Sequence, residues 1–365
     1  MRLLLAIICL GLSCIAHGAQ RDSADGRLLP PEKVADHVWV MRQPDRLWAA
    51  VIGNVTIVEQ GDGVVLIDSG GSIADGRDVV AGVRSLTAKP VKAVAITHWH
   101  NDHPLDLPGI LETFPKARVI STPQAREHVQ SETNTSVGKP SAEMDSARRE
   151  RIAKTIAELE DEAADPKTSP EMRAQWAIEI EWIRRRLDRL MGNYVVVPNE
   201  TVADTLVIDD PVAPVELKVL GTGNTTGDLV AWMPRQRVVT AGDMVVLPTP
   251  YGFTVSTKPW LATLDRLQAL PFEVLIPGHG KVQRDRAYLA TLKWSMRDIA
   301  AKAAAASADK SLTKEQAVAA FDRKPHEARF GASDDWTRKW LNDYWLEGMF
   351  GTAFDEARGI PAPGK

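Results

Sequence analysis

Cysteine is nearly absent from this chain. Of 365 residues only two are cysteine, Cys9 and Cys14, and both fall in an apolar opening segment. Met1-Arg2 followed by the run Leu3 to Ile15 is too short to span a bilayer and has the pattern of a secretory signal. Small residues Ala16, Gly18 and Ala19 place the expected cleavage near Ala19 or Gln20, so 1–19 is read as a signal peptide and the mature chain as periplasmic or secreted. That mature chain would have no disulfide, no thiolate metal ligand and no cysteine nucleophile. A lipid anchor on Cys14 is the weaker alternative, because Gly11 stands where a large apolar residue is expected. No later run is long and apolar enough to be transmembrane. An excess of positive charge is missing too: 44 Lys and Arg against 48 Asp and Glu give −4. That balance argues against nucleic acid or an anionic membrane as the main partner. The run Arg184-Arg185-Arg186 reads as a solvated helix face.

Histidine is scarce, at eight residues, yet three fall within the six positions His98-Trp99-His100-Asn101-Asp102-His103. The cluster follows the apolar run Val91 to Ile96, which reads as a buried strand. Neutral imidazole and carboxylate are the ligands zinc takes when no thiolate is offered. A helix would spread these side chains around its circumference, whereas a strand-to-loop turn can aim them at neighbouring points.

Short β-like runs at Val38 to Met41, Ala49 to Val58 and Val64 to Asp68 follow a polar leader, Arg21 to Asp36. A helical stretch, Ile73 to Ala88, then leads to the strand Val91 to Thr97. The second half repeats the alternation with strands at Thr201 to Ile208, Glu216 to Leu220, Asp228 to Met233, Arg237 to Ala241 and Val274 to Ile276, and a helix near Pro259 to Ala269. This is an α/β layered pattern with loops at one sheet edge. Residues 141–192 differ in texture. They carry two apolar stripes (Met144, Ile152, Ile156, Leu159; and Met172, Trp176, Ile180, Ile183, Leu187, Leu190) joined through Ser169-Pro170, an N-cap and a first-turn proline. An inserted antiparallel helical hairpin is expected, packed on the core, with a lid or a homo-oligomer contact as its other roles. From Arg284 the pattern is helical over Arg286 to Ser307, Thr313 to Phe321 and Asp334 to Glu356, with Trp336, Trp340, Trp345 and Phe350 read as core.

One cluster holds one metal, and a second needs donors downstream. Candidates are Asn224 in the glycine-rich loop Gly221 to Asp228, Asp243 after Thr240-Ala241-Gly242, and His279 in Ile276-Pro277-Gly278-His279-Gly280. In this order these residues resemble the metallo-β-lactamase superfamily over Val38 to Gln283. The resemblance implies an αββα sandwich over 30–283 with a dinuclear metal site at one edge of the two sheets, the hairpin inserted and 284–365 a helical extension. It implies that His98 and His100 bind a first zinc ion, Asp102, His103 and His279 a second, and that Asp243 bridges them; Asp68 matches a structural aspartate. Where the family usually has a histidine, this chain has Asn224, a weak ligand at best. Unequal sites are therefore expected: one Zn2+ bound tightly at Asp102/His103/His279, a second more weakly.

Two divalent metals about 3.5–4 Å apart share a water and lower its pKa toward neutrality, giving a hydroxide that attacks a carbonyl. Asp102 can also orient the nucleophile. The expected reaction is hydrolysis of a small cyclic amide or ester, β-lactam-like or a lactone, with Trp48, Trp99, Tyr251 and Phe253 as an apolar rim. The bridging Asp243 and the missing cysteine speak against the thiol-ligand lactamase classes, and His100 against the oxidoreductase branch. The alternative is an exported zinc-binding protein without turnover. A hydrolase keeps an open coordination position, whereas a storage site is closed.

Overall fold

Runs of β-branched residues set the strands, and glycine-marked breaks set where each one stops. The computed structural model describes residues 25–131, 135–252 and 255–362. The expected signal segment with Cys9 and Cys14, and Phe253, lie outside the described residues.

In chain order the first half runs β1 (Glu32–Ala35), β2 (Val38–Met41), β3 (Val55–Glu59), β4 (Val64–Ile67), α1 (Ile73–Leu86), β5 (Val91–Ala95), α2 (Leu107–Leu111), β6 (Arg118–Ser121) and α3 (Pro123–Ser131). The hairpin follows as α4 (Ala142–Ala164) and α5 (Pro170–Leu187), then β7 (Glu200–Thr201), β8 (Thr205–Ile208), β9 (Val215–Lys218), β10 (Val230–Met233) and β11 (Val238–Thr240). The rest is α6 (Thr257–Ala269), β12 (Val274–Ile276), α7 (Ala287–Ser307), α8 (Lys314–Ala320), α9 (Lys324–Phe330), α10 (Asp335–Leu341), a π-helical turn at Asn342–Leu346, and α11 (Glu347–Ala357).

The strands form two sheets, β1 to β7 in sequence order and β12-β11-β10-β9-β8. In the first, β4, β5, β6 and β7 run parallel; in the second, β11 and β12 do. Ile67, Ala95, Ile120, Leu217, Ala231 and Ile276 belong to the layer between them. A buried bond between Thr56 and Thr240 hydroxyls, 3.1 Å, ties sheet to sheet. Helices cover both outer faces, α1 and the hairpin on one, α6, α7 and α11 on the other. The architecture is the αββα sandwich. The hairpin starts as its caps dictate: Ser141 and Ser169 hydroxyls accept from the amides of Met144 and Met172.

Four local expectations need correction. The run Ala49 to Val58 pairs as a strand only from Val55; residues 42–54 are an irregular strap, in which Arg46 (φ 67°) and Ala50 (φ 47°) adopt left-handed backbone that a strand excludes. The polar leader contains β1, paired to β2 with a bulge, because Val34 still buries its side chain. Arg186 is not solvated. It is fully buried, bidentate to Asp75 of α1 at 2.8 and 3.1 Å, while Arg184 and Arg185 stay outside on Glu160 and Glu181. The last predicted helix is interrupted by the π turn, and α9 precedes it.

Candidate metal centre

The six His and Asp candidates, together with Asp68, sit where strands end. Asp68 follows β4, the His98 to His103 loop follows β5, Asp243 lies in a 3-10 turn after β11, and His279 follows β12. These are the carboxyl ends of the parallel strands in each sheet, so the loops converge on one edge.

Two groups of donor atoms form there, His98/His100/Asp243 and Asp102/His103/His279. In the first, His98 Nε2 lies 3.0 Å from His100 Nδ1 and 3.6 Å from Asp243 Oδ2. In the second, Asp102 Oδ2 lies 3.0 Å from His279 Nε2 and 3.5 Å from His103 Nε2. The other oxygen of Asp243, Oδ1, is 3.4 Å from His103 Nε2 and 3.5 Å from His279 Nε2. Asp243 therefore turns one oxygen to each group. His103 Nε2 and Asp243 Oδ1 are buried and without hydrogen-bond partners among the described residues. Buried polar atoms left so are costly unless a cation satisfies them, and this donor set fits a divalent metal.

A supporting shell fixes which ring nitrogens face inward. Asp68 accepts from the Thr97 amide at 2.7 Å, from the Thr97 hydroxyl at 2.8 Å and from His103 Nδ1 at 2.9 Å. With its proton on Nδ1, His103 keeps Nε2 free as a ligand. Thr97 Oγ1, having donated to Asp68, accepts from His98 Nδ1 at 3.1 Å, which does the same for His98. Burial pushes His98 and His100 below the ordinary imidazole value and keeps them neutral. Burial opposes the charge on Asp102 and Asp243, yet the neighbouring imidazoles hold both carboxyls below their ordinary value.

Asn224 is buried beside the first group, its Nδ2 donating to Asp243 Oδ2 at 3.4 Å. That amide orients the shared carboxylate and leaves the first group with three donors.

A cavity of about 600 Å³ opens onto His100, Asp102, Asp243 and His279. Its walls are mainly apolar: Leu47, Trp48, Val246, Leu247, Tyr251 and Tyr344. Trp48 and Tyr251 line it. Trp99 does not line it; its ring packs 5.3 Å from His128, toward the cluster of Leu105, Val129 and Val195. Sequence reasoning missed the wall supplied by the C-terminal helices, Phe330, Trp336, Thr337 and Tyr344. The aromatic density of that tail was the available signal. The π turn brings Tyr344 to 5.5 Å from Tyr251, and the Tyr344 hydroxyl donates to Trp48 O at 3.2 Å. Burial first, then the Asp102 and Asp243 carboxylates, push the Tyr251 phenol up to about 12, so it stays protonated.

Behind Trp48 stands a buried acid that no motif marks. Glu179 of α5 accepts from the Trp48 amide at 2.8 Å and from the Ala49 amide, and burial pushes its carboxyl up to about 8. An unfolded chain releases this proton near 4.5, whereas the folded one holds it to about 8. The folded state then binds more protons in that window, so stability is full below it and falls as pH rises, by up to about 1.4 kcal/mol per pH unit. Glu179→Gln should flatten this slope in thermal melts; a mutant with the wild-type slope would assign the pH dependence elsewhere.

Two groups of imidazoles and carboxylates, each able to hold a metal ion, thus gather at one edge of an αββα sandwich. The metallo-beta-lactamase superfamily model matches residues 48–279, and the chain belongs to that superfamily. It is 25% identical over 239 residues to a linear primary-alkylsulfatase of Pseudomonas sp. (strain ATCC 19151), a match covering 62% of this chain and 41% of that protein. The chain thus spans less than half the length of this relative. In fold it is similar to the inverting sec-alkylsulfatase Pisa1 from Pseudomonas sp., with TM-score 0.60 and 17% identity over 90% of this chain and 50% of that one. A metallo-beta-lactamase from Pontibacter korlensis aligns at TM-score 0.49 and 17% identity, over 74% of this chain and 100% of that one.

Proposed function

We propose that this chain is an exported zinc-dependent hydrolase that opens a small cyclic amide or ester, β-lactam-like or a lactone, carrying an apolar body. The observation that carries the reading is Asp243, facing two donor groups at once at the inner end of an apolar cavity. His98, His100 and Asp243 would hold one zinc ion, and Asp102, His103, His279 and Asp243 the other, the second group filling first. Bound there, zinc supplies Lewis acidity and a lowered pKa for water. The chain's own residues do the rest. Asp102, while offering Oδ2 to the second group, also orients the attacking water, and the protonated Tyr251 hydroxyl is a donor for developing negative charge. Trp48, Leu247 and Tyr344 exclude bulk solvent and seat the apolar body.

Sulfate-ester hydrolysis is a second reading, favoured by the alkylsulfatase relatives and by the length of apolar wall available to an alkyl chain. The alternative of a zinc-binding protein without turnover is disfavoured by the three-donor first group, which leaves coordination open toward the cavity. The experiment is a zinc titration of the full chain against a chromogenic cephalosporin, a medium-chain lactone, p-nitrophenyl octanoate and octyl sulfate, with His103→Ala as control. Zinc-dependent turnover of the carbonyl substrates, lost in the control, is expected. Cleavage of octyl sulfate alone would move the substrate class to sulfate esters. Zinc binding with no turnover of any would replace the hydrolase by the zinc-binding protein.

A further inference from the structure

The strap at 42–54 has no strand partners, so its backbone polar groups must be satisfied from elsewhere. Four sources supply them. Gln43 closes the strap on itself, donating to Leu47 O and accepting from the Ile52 amide. The C-terminal helices bond Arg46 O through Trp336 Nε1 at 3.2 Å and Trp48 O through the Tyr344 hydroxyl. The hairpin gives the Glu179 carboxyl to the amides of Trp48 and Ala49, and Trp182 Nε1 to Ala50 O at 3.3 Å. The far end of the strap enters the metal loops, with the Gly53 amide on Asp102 O and the Asn54 amide on Gly278 O.

We infer that Glu179 is a positioning residue for the substrate: from the inserted hairpin it fixes, through two strap amides, the Trp48 wall of the cavity relative to the metal ligands. The inference rests on the hydrolase reading for its kinetic part. Left-handed backbone at Arg46 and Ala50 shows that the strap is held in place by its partners, since neither residue favours that conformation alone. Glu179 is fully buried, its second oxygen is without a partner among the described residues, and its hydrogen bonds go only to the strap. The hairpin beneath it is anchored independently, by Arg186 and Arg189 on Asp75 of α1. Glu179 is thus a fixed peg on a rigid base, touching the wall and none of the six donors.

The test compares Glu179→Ala and Glu179→Gln in the full chain, with p-nitrophenyl octanoate and p-nitrophenyl acetate as probes. Loss of the buried acceptor should speed hydrogen exchange at Trp48 and Ala49 by about 10- to 100-fold in the alanine variant, with the rest of the chain unchanged. KM for the octanoate should rise about 10-fold while kcat, the acetate kinetics and zinc stoichiometry stay within about 2-fold. Glutamine, which keeps the acceptor oxygen, should restore all of these. Unchanged exchange at the strap overturns the inference, as does an equal loss on both esters or a loss of zinc. If neither ester is cleaved, the hydrolase reading fails for these substrates, and the exchange data with cavity binding of 8-anilinonaphthalene-1-sulfonate decide the positioning role instead. Should the alanine variant not fold, Glu179→Gln alone carries the test: it keeps the acceptor oxygen, so wild-type exchange at Trp48 and Ala49 with wild-type KM for the octanoate is expected, and a glutamine variant with a loosened strap and unchanged KM would count against the inference.

Discussion

Asp243→Ala is expected to cost the protein its metal stoichiometry and about 10³-fold or more in kcat/KM. The reason is the two-sided contact of this one carboxylate: Oδ2 faces His98 and Oδ1 faces His103 and His279, so its removal opens both donor groups together. The first group would keep only two imidazoles, and the second would keep three donors. Metal analysis by atomic emission and steady-state kinetics on the same preparation would read both effects. Asn224→Ala is the contrasting variant, since its amide touches Asp243 without joining the donor set. A variant lacking Asp243 that still held two equivalents of zinc would end the bridging assignment.

The second large effect comes from a single methyl group. A Cβ on Gly278 would overlap Asp243 Oδ1 and crowd the Gly242 backbone. The conformation of Gly278 is not left-handed, so alanine there meets no backbone penalty and the consequence is purely steric. Gly278→Ala should rotate the Asp243 carboxylate away from His103, weaken metal binding, and lower kcat/KM by about 10²-fold, the order expected for a displacement of roughly 1 Å at a reacting centre. Because the same Cβ also clashes with the backbone at Gly242 and Asp243, equilibrium unfolding of the metal-stripped chain should show a loss of stability as well, read separately from activity. Wild-type zinc affinity in this variant would mean that the turn gives way instead of the ligand.

Gly278 also marks what was legible beforehand. The loop Ile276 to Gly280 announced a histidine presented from a tight turn after a buried strand, and the structure places that histidine against Asp102. The glycine's second role, leaving room for a ligand carried at the end of the neighbouring strand β11, is a contact between segments distant in the chain that one sequence does not display. The same division holds elsewhere. An α/β layering was readable because strand runs and helical stripes alternate at regular spacing, and the His98 to His103 cluster stood out because imidazole is rare; the αββα form and the grouping of the six candidate donors came from the resemblance those residues carry. Asp68 was named, but its bonds to Thr97 and His103 emerge only when β4 and β5 lie side by side. The strap was misread as strand because Val51 and Ile52 have strand-like side chains; the left-handed turn at Ala50 is set by neighbours such as Glu179 and Trp182. Arg186 looked like one of three solvated arginines because its partner, Asp75, lies on a helix far away in sequence. The cavity wall at Phe330 and Tyr344 depends on how the tail folds back over the site, which helical periodicity does not encode.

The two sheets contribute unequally to the centre: four of the six donors hang from β5, and Asp243 and His279 from β11 and β12. A cation in either group, drawing donors from both sheets, is then a removable clasp between the two layers of the sandwich. Each metal bound only by the folded chain adds to folding free energy by about RT ln(1 + [metal]/Kd), close to 2.7 kcal/mol at a hundredfold excess over Kd. Conformational stability and metal supply thereby become one variable. If the site holds zinc as proposed, a compartment starved of it would lower the chain's stability together with its activity, and its abundance would fall with the supply of that metal.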